Sequence, residues 1–301
     1  MQTPSYYLSH PDEAATRLLV RFGTWLPDKT FLKLKFRFAM GYKLDLKNPK
    51  TFSEKLQWLK LYDHKLEYTI MVDKIKAKEY VASIVGEEFI IPTIGVWDDP
   101  DKIDFEALPD RFVLKCNHNS GLGMYICKDK NKMDINTVKT QLRKGLQENY
   151  FLGSREWPYK NVPHRIFAEK YIDPVPNMQD LPDYKWYCFN GEPKYCQVIQ
   201  NRNTNETIDF FDTEWNHQEF VGLDSKAENA IEPPLRPKHL DTHLRIARKL
   251  SKGIPFSRID LYDTHDKVYF GEVTFYPASG LGKFRPNRYN DILGSMLILP
   301  V

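Results

Sequence analysis

Apolar residues recur at a helical spacing in the first quarter of the chain. Between residues 66 and 85 they follow a period close to that of a helix, and Gly86 stands where a helix commonly ends. The spacing predicts one helix over residues 66–85. The first ninety residues show no strand–helix–strand alternation and no G-x-G-x-x-G motif after a strand, so no dinucleotide-binding domain is indicated.

Short apolar runs between polar loops indicate strands in the rest of the chain. The predicted strands cover residues 90–97, 111–116, 124–127, 165–172, 184–189, 194–199, 256–262 and 267–274. Asn190-Gly191 separates two of these runs and predicts a hairpin. Helices are predicted after Asp134, a capping residue, and over residues 237–252. The pattern therefore predicts an α+β body after a mainly helical first part.

Composition and charge restrict the class of protein. The 301 residues are 42% hydrophobic and 14% aromatic, and the net charge is +3, which excludes a disordered chain and gives no reason to expect a nucleic-acid partner. No apolar run approaches the length of about 18 residues that a membrane span needs. The four cysteines form no C-x-x-C pair, and the first residues lack the pattern of a secretory signal. We therefore expect reduced thiols and a cytoplasmic location.

Residues 17–43 combine positive charge with aromatic side chains. Seven basic residues stand against one acid: Arg17, Arg21, Lys29, Lys33, Lys35, Arg37 and Lys43 against Asp28. Such a segment can lie on the anionic inner face of a membrane, with aromatic residues toward the lipid. It can equally form helices that pack on the protein and expose a basic face.

A loop that begins after Lys115 and two acids near the C-terminus could carry chemistry. Residues 117–123 form a glycine-containing loop between two predicted strands, which could wrap phosphate oxygens or simply close a hairpin. Asp260 and Glu272 are separated by a turn that can place them on one face of adjacent strands. Two such carboxylates repel each other unless they are protonated or bridged by a cation such as Mg²⁺, although they could also be exposed acids of a hairpin.

Further polar residues share these strands. Thr274 and Arg258 fall on the same face as the acids by strand alternation, so Thr274 offers a third oxygen and Arg258 either stabilises developing charge or neutralises Asp260. Glu169 and Lys170 lie inside an apolar strand, where they would need a ligand or a salt bridge as partner. His239 and His243 lie four apart on a predicted helix, and without a Glu between them a solvated helix face is favoured over a metal site.

In order and spacing these segments resemble the ATP-grasp superfamily. The segments are Phe112-Val-Leu-Lys115 with its loop, Ala168-Glu-Lys-Tyr-Ile172, Arg258-Ile-Asp260 and Glu272-Val-Thr274. With Asp73-Lys74, residues 112–121, Asp183-Tyr-Lys-Trp186 and Cys188-Phe-Asn-Gly-Glu-Pro193, the chain is more closely similar to the TupA-like ATP-grasp family of polysaccharide biosynthesis. The resemblance extends from about residue 33 to residue 290. Two departures are Thr274, where the superfamily usually has Asn, and a helical rather than Rossmann-like first part.

The resemblance implies an ATP-grasp fold in which two α+β lobes hold ATP. We expect a helical N-terminal region over residues 1–105, a small lobe over residues 106–168 and a large lobe over residues 169–301. ATP and Mg²⁺ are the implied cofactors.

The resemblance also implies roles for individual residues. Lys115 and Lys170 would contact the α- and β-phosphates, and Glu169 with the backbone of Tyr171 and Ile172 would bind the adenine edge. The loop residues Asn117, Ser120, Gly121 and Gly123 would close over the phosphates. Asp260, Glu272 and Thr274 would hold Mg²⁺, Lys185 would approach the γ-phosphate, and Arg258 would face the reacting carboxyl group. Lys283, Arg285 and Arg288 are a basic cluster that could bind an acidic sugar or its carrier, or form an exposed basic tail.

The implied activity is that of a carboxylate–amine ligase in the synthesis of a capsule or another surface polysaccharide. Its partners would be an acidic sugar or amino acid and an amine. Three alternatives stay open at this stage: a sugar kinase on the same fold, a glycosyltransferase that uses a nucleotide sugar, and a non-catalytic module at the membrane surface.

Overall fold

Five α-helices precede the first strand in the described part of the computed structural model, which covers residues 10–174, 181–201, 205–223, 227–264 and 266–300. They are α1 (Pro11–Phe22), α2 (Asp28–Met40), α3 (Phe52–Tyr62), α4 (Leu66–Val72) and α5 (Lys76–Val85). The predicted helical first part is therefore confirmed. None of these or the later described helices is long and apolar enough to cross a bilayer.

The single helix predicted over residues 66–85 is wrong, because α4 and α5 are separated at Asp73. The Asp73 carboxylate accepts hydrogen bonds from the backbone N–H groups of Ile75 at 3.0 Å and Lys76 at 3.4 Å. This side chain satisfies backbone donors that a continuous helix would have satisfied, so the first helix ends and a second one begins.

A four-stranded antiparallel sheet follows. Its strands are β1 (Thr93–Trp97), β2 (Phe112–Cys116), β3 (Tyr125–Cys127) and β4 (Ile166–Lys170), in the order β1-β4-β2-β3. Between β3 and β4 the chain forms α6 (Ile135–Leu146) and α7 (Tyr150–Ser154). As predicted, the Asp134 side chain caps α6, accepting from the Asn136 N–H at 3.0 Å. Val138 and Leu142 of α6 pack on Phe112 and Leu114 of the sheet.

A six-stranded antiparallel sheet forms the larger part of the body. Its strands are β5 (Asp183–Phe189), β6 (Glu192–Gln200), β7 (Thr207–Phe211), β8 (His217–Gln218), β10 (Phe256–Asp263) and β11 (Val268–Thr274), in the order β11-β10-β5-β6-β7-β8. The predicted hairpin is confirmed, and its turn has positive φ at Asn190 (51°) and Gly191 (88°), as a type I′ turn requires. The remaining strands and α-helices of the described chain are β9 (Val221–Gly222), α8 (Leu240–Ser251), β12 (Phe284–Arg285) and α9 (Arg288–Met296), and β9 pairs with β12.

Helices cover both faces of the six-stranded sheet, which explains why every residue of β5 is buried. On one face the Trp186 indole N–H donates to Nδ1 of His243 on α8 at 3.2 Å. On the other face Phe52 of α3 packs against Phe189, with ring centroids 5.9 Å apart. Strand alternation puts Lys185 on the same face as Phe189. Helix α3 therefore packs on the face of the sheet that carries Lys185.

The solvated helix face expected for His239 and His243 is wrong for His243, which is completely buried. His239 Nδ1 lies 2.6 Å from a carboxylate oxygen of Asp263, at the end of β10. The two histidines therefore connect α8 to the sheet, because the i, i+4 face that carries them is the face that packs.

The predicted lobe boundaries fall within or beside paired strands. Residue 105 follows β1, which pairs with β4 and so belongs to the four-stranded sheet. The boundary after residue 168 lies inside β4. The division into lobes stays a prediction.

Candidate active site

The acidic pair lies on two neighbouring strands of the six-stranded sheet. In the register of β10 and β11, Asp260 is opposite Glu272 and Arg258 is opposite Thr274. The next strand, β5, places Lys185 opposite Asp260. The predicted juxtaposition of the two carboxylates is confirmed, because the turn and the strand period bring them onto one face.

Arg258 lies between the two carboxylates. Its Nε donates to Asp260 Oδ1 at 2.7 Å, and its Nη2 donates to Asp260 Oδ2 at 2.7 Å and to Glu272 Oε1 at 3.1 Å. The same Nη2 lies 3.1 Å from the Thr274 hydroxyl. The cation that relieves the repulsion of the acids in this structure is therefore a guanidinium group, whose fork suits paired carboxylates.

Lys185 adds a second cation on the other side of Asp260. Its ammonium group donates to Asp260 Oδ2 and lies 2.7 Å from Asp183 Oδ2. All three side chains are nearly inaccessible to solvent. Burial raises the pKa of Asp260, and Arg258 and Lys185 oppose that rise.

Lys74 is a functional candidate to which sequence reasoning assigned no role. Its ammonium group lies 4.0 Å from Glu272 Oε2 and donates to the backbone carbonyl of Asn119 in the predicted phosphate loop. Burial lowers the pKa of Lys74, and the Glu272 carboxylate opposes that shift. The dipeptide Asp73-Lys74 is one of the segments that resemble the family, but the resemblance by itself gave Lys74 no role.

The charges around Glu272 control its protonation. Burial by itself raises the pKa of this carboxyl group, but Lys74, Arg258 and Lys185 outweigh burial and hold the pKa at about 2. Glu272 is therefore ionised at neutral pH. Its side chain is also the most accessible of the group, at 36%.

The predicted phosphate loop contains two kinds of residue. Asn117 is buried, donating to Asp73 Oδ1 at 2.9 Å and accepting from the Arg165 N–H at 2.8 Å. Gly123 is buried too, and a Cβ there would lie 2.8 Å from Cys116 Sγ. Ser120 and Gly121 are exposed at the tip. Asn117 and Gly123 therefore fix the base of the loop, while its tip is open to a ligand.

A cavity of about 460 Å³ lies between the two sheets. From the four-stranded sheet it is lined by Val113, Lys115, Ile126 and Glu169, and from the six-stranded sheet by Asp183, Ile199 and Tyr262. Lys170, Tyr171 and Ile172 line it as well. Five of the predicted nucleotide residues, Lys115 and residues 169–172, thus lie around one largely apolar space, whereas the predicted loop residues Asn117, Ser120, Gly121 and Gly123 are not among its lining residues.

Glu169 organises the cations at one side of this cavity. Its carboxylate accepts from Lys115 and, at 2.9 Å, from Lys78 on α5. Burial raises the pKa of Glu169, and the two lysines outweigh burial and lower it overall. Of the two explanations for a charge in this strand, the salt bridge is observed, and it connects α5 to the small sheet.

Family membership follows from the comparison with known proteins. The profile of the family described as TupA-like ATPgrasp matches residues 54–298. The chain belongs to this family. The expected family and α+β fold class are therefore confirmed. No curated protein matches the chain.

Several solved structures are similar to this ATP-grasp chain at low identity. D-alanine–D-alanine ligase from Bacillus anthracis complexed with ATP is 18% identical over 68% of this chain, with a TM-score of 0.38. The ligase from Helicobacter pylori is 13% identical over 82% of this chain, with a TM-score of 0.42. The ATP-grasp ligase PsnB, complexed with minimal precursor, Mg and ADP, is 10% identical over 88%, with a TM-score of 0.36. The chain spans 54%, 69% and 66% of these proteins.

The oxygen atoms at the acidic pair of the ATP-grasp chain fit a magnesium ion. Asp260 and Glu272 supply two carboxylates, and the Thr274 hydroxyl lies 3.2 Å from Glu272 Oε1. Within the described ranges no group of three or more His, Cys, Asp or Glu residues could hold a metal ion by itself. One or two carboxylates are what Mg²⁺ takes from a protein when phosphates complete its shell.

The basic cluster near the C-terminus makes contacts elsewhere. Arg285 pairs with Glu228 at 2.9 Å, and the Arg288 guanidinium lies 5.5 Å from the ring centre of Tyr289. Lys283 is exposed beside β12. Their proposed contact with substrate stays a prediction.

Proposed function

We propose that the chain is an ATP- and Mg²⁺-dependent ligase that joins a carboxylate to an amine. The observation that carries the proposal is the arrangement around Glu272, where Lys74, Lys185 and Arg258 converge beside a cavity suited to a nucleotide base. In this structure the three cations face the carboxylates of Asp183, Asp260 and Glu272. Once Mg²⁺ is held by Asp260 and Glu272, the cations can meet other negative charges. The terminal phosphates of ATP and the carboxylate of an acceptor are such charges.

Each part of the site takes a role in this proposal. The apolar cavity binds the base, with Glu169 and the backbone of Tyr171 and Ile172 at the adenine edge. Lys115, Lys170 and the open tip of the 117–123 loop hold the phosphates.

The remaining side chains act at the reacting groups. Lys74 and Lys185 hold the terminal phosphate, and Arg258 orients the carboxylate that attacks it. Asp260, Glu272 and Thr274 hold Mg²⁺, which neutralises phosphate charge when bound.

The reaction balances without a covalent group on the protein. An acceptor carboxylate oxygen attacks the γ-phosphorus and ADP leaves, which produces an acylphosphate. An amine then attacks the acyl carbon, loses a proton and releases inorganic phosphate, so an amide forms. The protein contributes position, charge and exclusion of water.

We further propose that the substrate is a uronic-acid sugar or an amino acid used in a cell-surface polysaccharide, and that the reaction takes place in the cytoplasm. The polysaccharide context rests on the family resemblance. Lys283, Arg285 and Arg288 are proposed to bind the acidic acceptor or its carrier.

The test is a substrate screen with the purified protein. ATP, Mg²⁺, a panel of uronates and amino acids, and a panel of amines are combined, and phosphate release is measured. We expect release only when acid and amine are both present, and hydroxylamine in place of the amine should trap a hydroxamate. Arg258→Lys should reduce turnover more than about a hundredfold, whereas Arg248→Lys, in an exposed pair with Glu192, should not. A phosphorylated sugar formed without phosphate release would show a kinase instead.

A further inference from the structure

The last turns of α1 and the turn that follows it present three large apolar side chains to solvent. Leu18 is 58% exposed, Phe22 is 62% exposed and Trp25 is 80% exposed. No residue of α1 is buried. Three such side chains within eight residues form an apolar surface that the described part of the chain does not cover.

The orientation of α1 directs this surface away from the body. Val20 lies on the side of α1 that faces α7. If Gly153 of α7 carried a Cβ atom, that atom would lie 3.5 Å from Cγ1 of Val20. Leu18 and Phe22 each point about 160° away from Val20 around the helix axis. They therefore form a ridge on the far side of α1.

Arg155 holds the turn in place. This buried side chain donates to the carbonyl of Thr24 at 2.7 Å and to that of Leu26 at 3.3 Å. It therefore binds the backbone on both sides of Trp25. Its guanidinium also stacks on Phe31, 4.2 Å from the ring centre. The exposure of Trp25 is thus the result of a buried anchor on the neighbouring residues.

The same two helices also expose positive charge. Arg21 follows Leu18 by one turn and stacks on Phe22, with its guanidinium carbon 5.3 Å from the ring centre. On α2, Lys29, Lys33 and Arg37 are exposed and recur every four residues, so they form one row. The one acid of the segment, Asp28, is paired with Arg155 at 3.1 Å.

Of the two interpretations of residues 17–43, the one in which helices pack on the protein is confirmed for α2. Phe31 and Phe36 of α2 are buried, and Lys35 donates to the Gly153 carbonyl at 2.8 Å, so α2 packs on the protein. The ridge of α1 and the row on α2 stay outside that packing.

We propose that α1 and α2 dock on an anionic lipid bilayer, with Leu18, Phe22 and Trp25 inserted at the level of the headgroups. A tryptophan at the tip suits the interface, where its ring contacts acyl chains and its N–H meets polar groups. The flanking cations are attracted by anionic lipid and lie at its surface. The docked state would keep a polysaccharide enzyme close to membrane-bound substrate, but the proposal itself is independent of the reaction.

The experiment is co-sedimentation of the full chain with vesicles. Vesicles of phosphatidylcholine with an equal share of phosphatidylglycerol are compared with pure phosphatidylcholine. We expect binding to the anionic vesicles that weakens at high salt. The double variant Phe22→Ala/Trp25→Ala should lower the apparent affinity by about tenfold or more, since it removes most of the inserted apolar area. Lys29→Gln/Lys33→Gln should lower it by a similar factor at low salt.

A matched variant controls for general loss of apolar surface. Ile231→Ala/Leu235→Ala removes two side chains of comparable exposure in another part of the molecule and should bind as the unchanged chain does. Equal loss in both apolar variants, or equal binding to neutral vesicles, would overturn the proposal. The proposal would also be overturned if the chain formed a concentration-dependent oligomer that the Phe22→Ala/Trp25→Ala variant abolishes. The apolar side chains would then join two copies of the chain instead of binding lipid.

Discussion

Glu272 is the residue at which charge, burial and accessibility combine. It is bonded to Arg258, faces Lys74 at 4.0 Å and is still partly open to solvent. A carboxylate with this surplus of positive neighbours stays ionised far below neutral pH. An accessible, permanently ionised oxygen ligand is what a site for magnesium phosphate needs.

Glu272 should make folding stability depend on pH in the acid range. Its folded-state pKa of about 2 lies below the ordinary value of 4.5, so the ionised form stabilises the folded chain above pH 4.5. That contribution declines as the pH falls toward 2. We expect urea unfolding of Glu272→Gln to show a shallower loss of stability from about pH 5 to about pH 3 than the unchanged chain.

The control is an exposed acid. Glu232→Gln changes the same functional group at the surface and should retain the pH dependence of the unchanged chain. If both variants follow the same curve, the cations around Glu272 do not stabilise its ionised form.

At the scale of elements, α3 supports the segment that follows β11. Lys60 on α3 donates to the Ser279 carbonyl at 2.9 Å, to its hydroxyl at 2.8 Å and to the Ser154 carbonyl at 2.9 Å. Ala278 and Ser279 have φ of 48° and 56°, a conformation that costs free energy in residues other than glycine. The buried lysine therefore holds an unfavourable turn four residues after Thr274.

Replacing Lys60 should loosen this turn and slow the reaction. In Lys60→Met the free energy of unfolding should fall by about 3 kcal/mol, because Glu156, buried beside the lysine, loses its cation. We expect kcat to fall as well, while the KM for ATP changes little. Chemical denaturation and steady-state kinetics measure the two effects.

Lys55→Met is the matched control on the same helix. Lys55 donates to the carbonyls of Gly294 and Leu297, on the side of α3 toward α9. This variant should lose stability but keep kcat. An equal loss of kcat in both variants would show that any damage to α3 has the same effect.

At the scale of the molecule, the N-terminal helices connect the two sheets. α5 reaches the four-stranded sheet through Lys78 and Glu169, and α3 packs on the six-stranded sheet through Phe52. Lys74, between α4 and α5, contacts both the loop of one sheet and Glu272 of the other. A ligand bound between the sheets therefore stabilises all three parts together.

ATP with Mg²⁺ should raise the thermal stability of the whole chain in one transition. A ligand present at about 100 times its dissociation constant adds about 2.7 kcal/mol to the free energy of unfolding. We expect a clear rise in Tm that Lys115→Met abolishes. Lys144→Met, on the outer side of α6, should leave the rise intact. No rise for the unchanged chain, or an equal rise in Lys115→Met, would contradict the placement of ATP between the sheets.

The sequence by itself determined the local structure and the acidic pair. Strand alternation and the Asn190-Gly191 turn have a period and a backbone requirement that can be read from neighbouring residues. The pairing of Asp260 with Glu272 follows from one hairpin, so a short separation was enough to predict it. The break at Asp73 does not follow from the apolar spacing, because that spacing does not show that the Asp73 carboxylate accepts from the backbone N–H groups of Ile75 and Lys76.

Only the tertiary structure decided which other residues lie beside Asp260 and Glu272. Lys60 and Ser279 are 219 residues apart, and Lys74 meets Glu272 across a comparable distance in the chain. Such contacts depend on how helices pack on sheets, and helix periodicity identifies a buried face without identifying the surface that it meets. The same packing buried Phe31 and Phe36 and left Trp25 outside, although all three belong to one basic, aromatic segment.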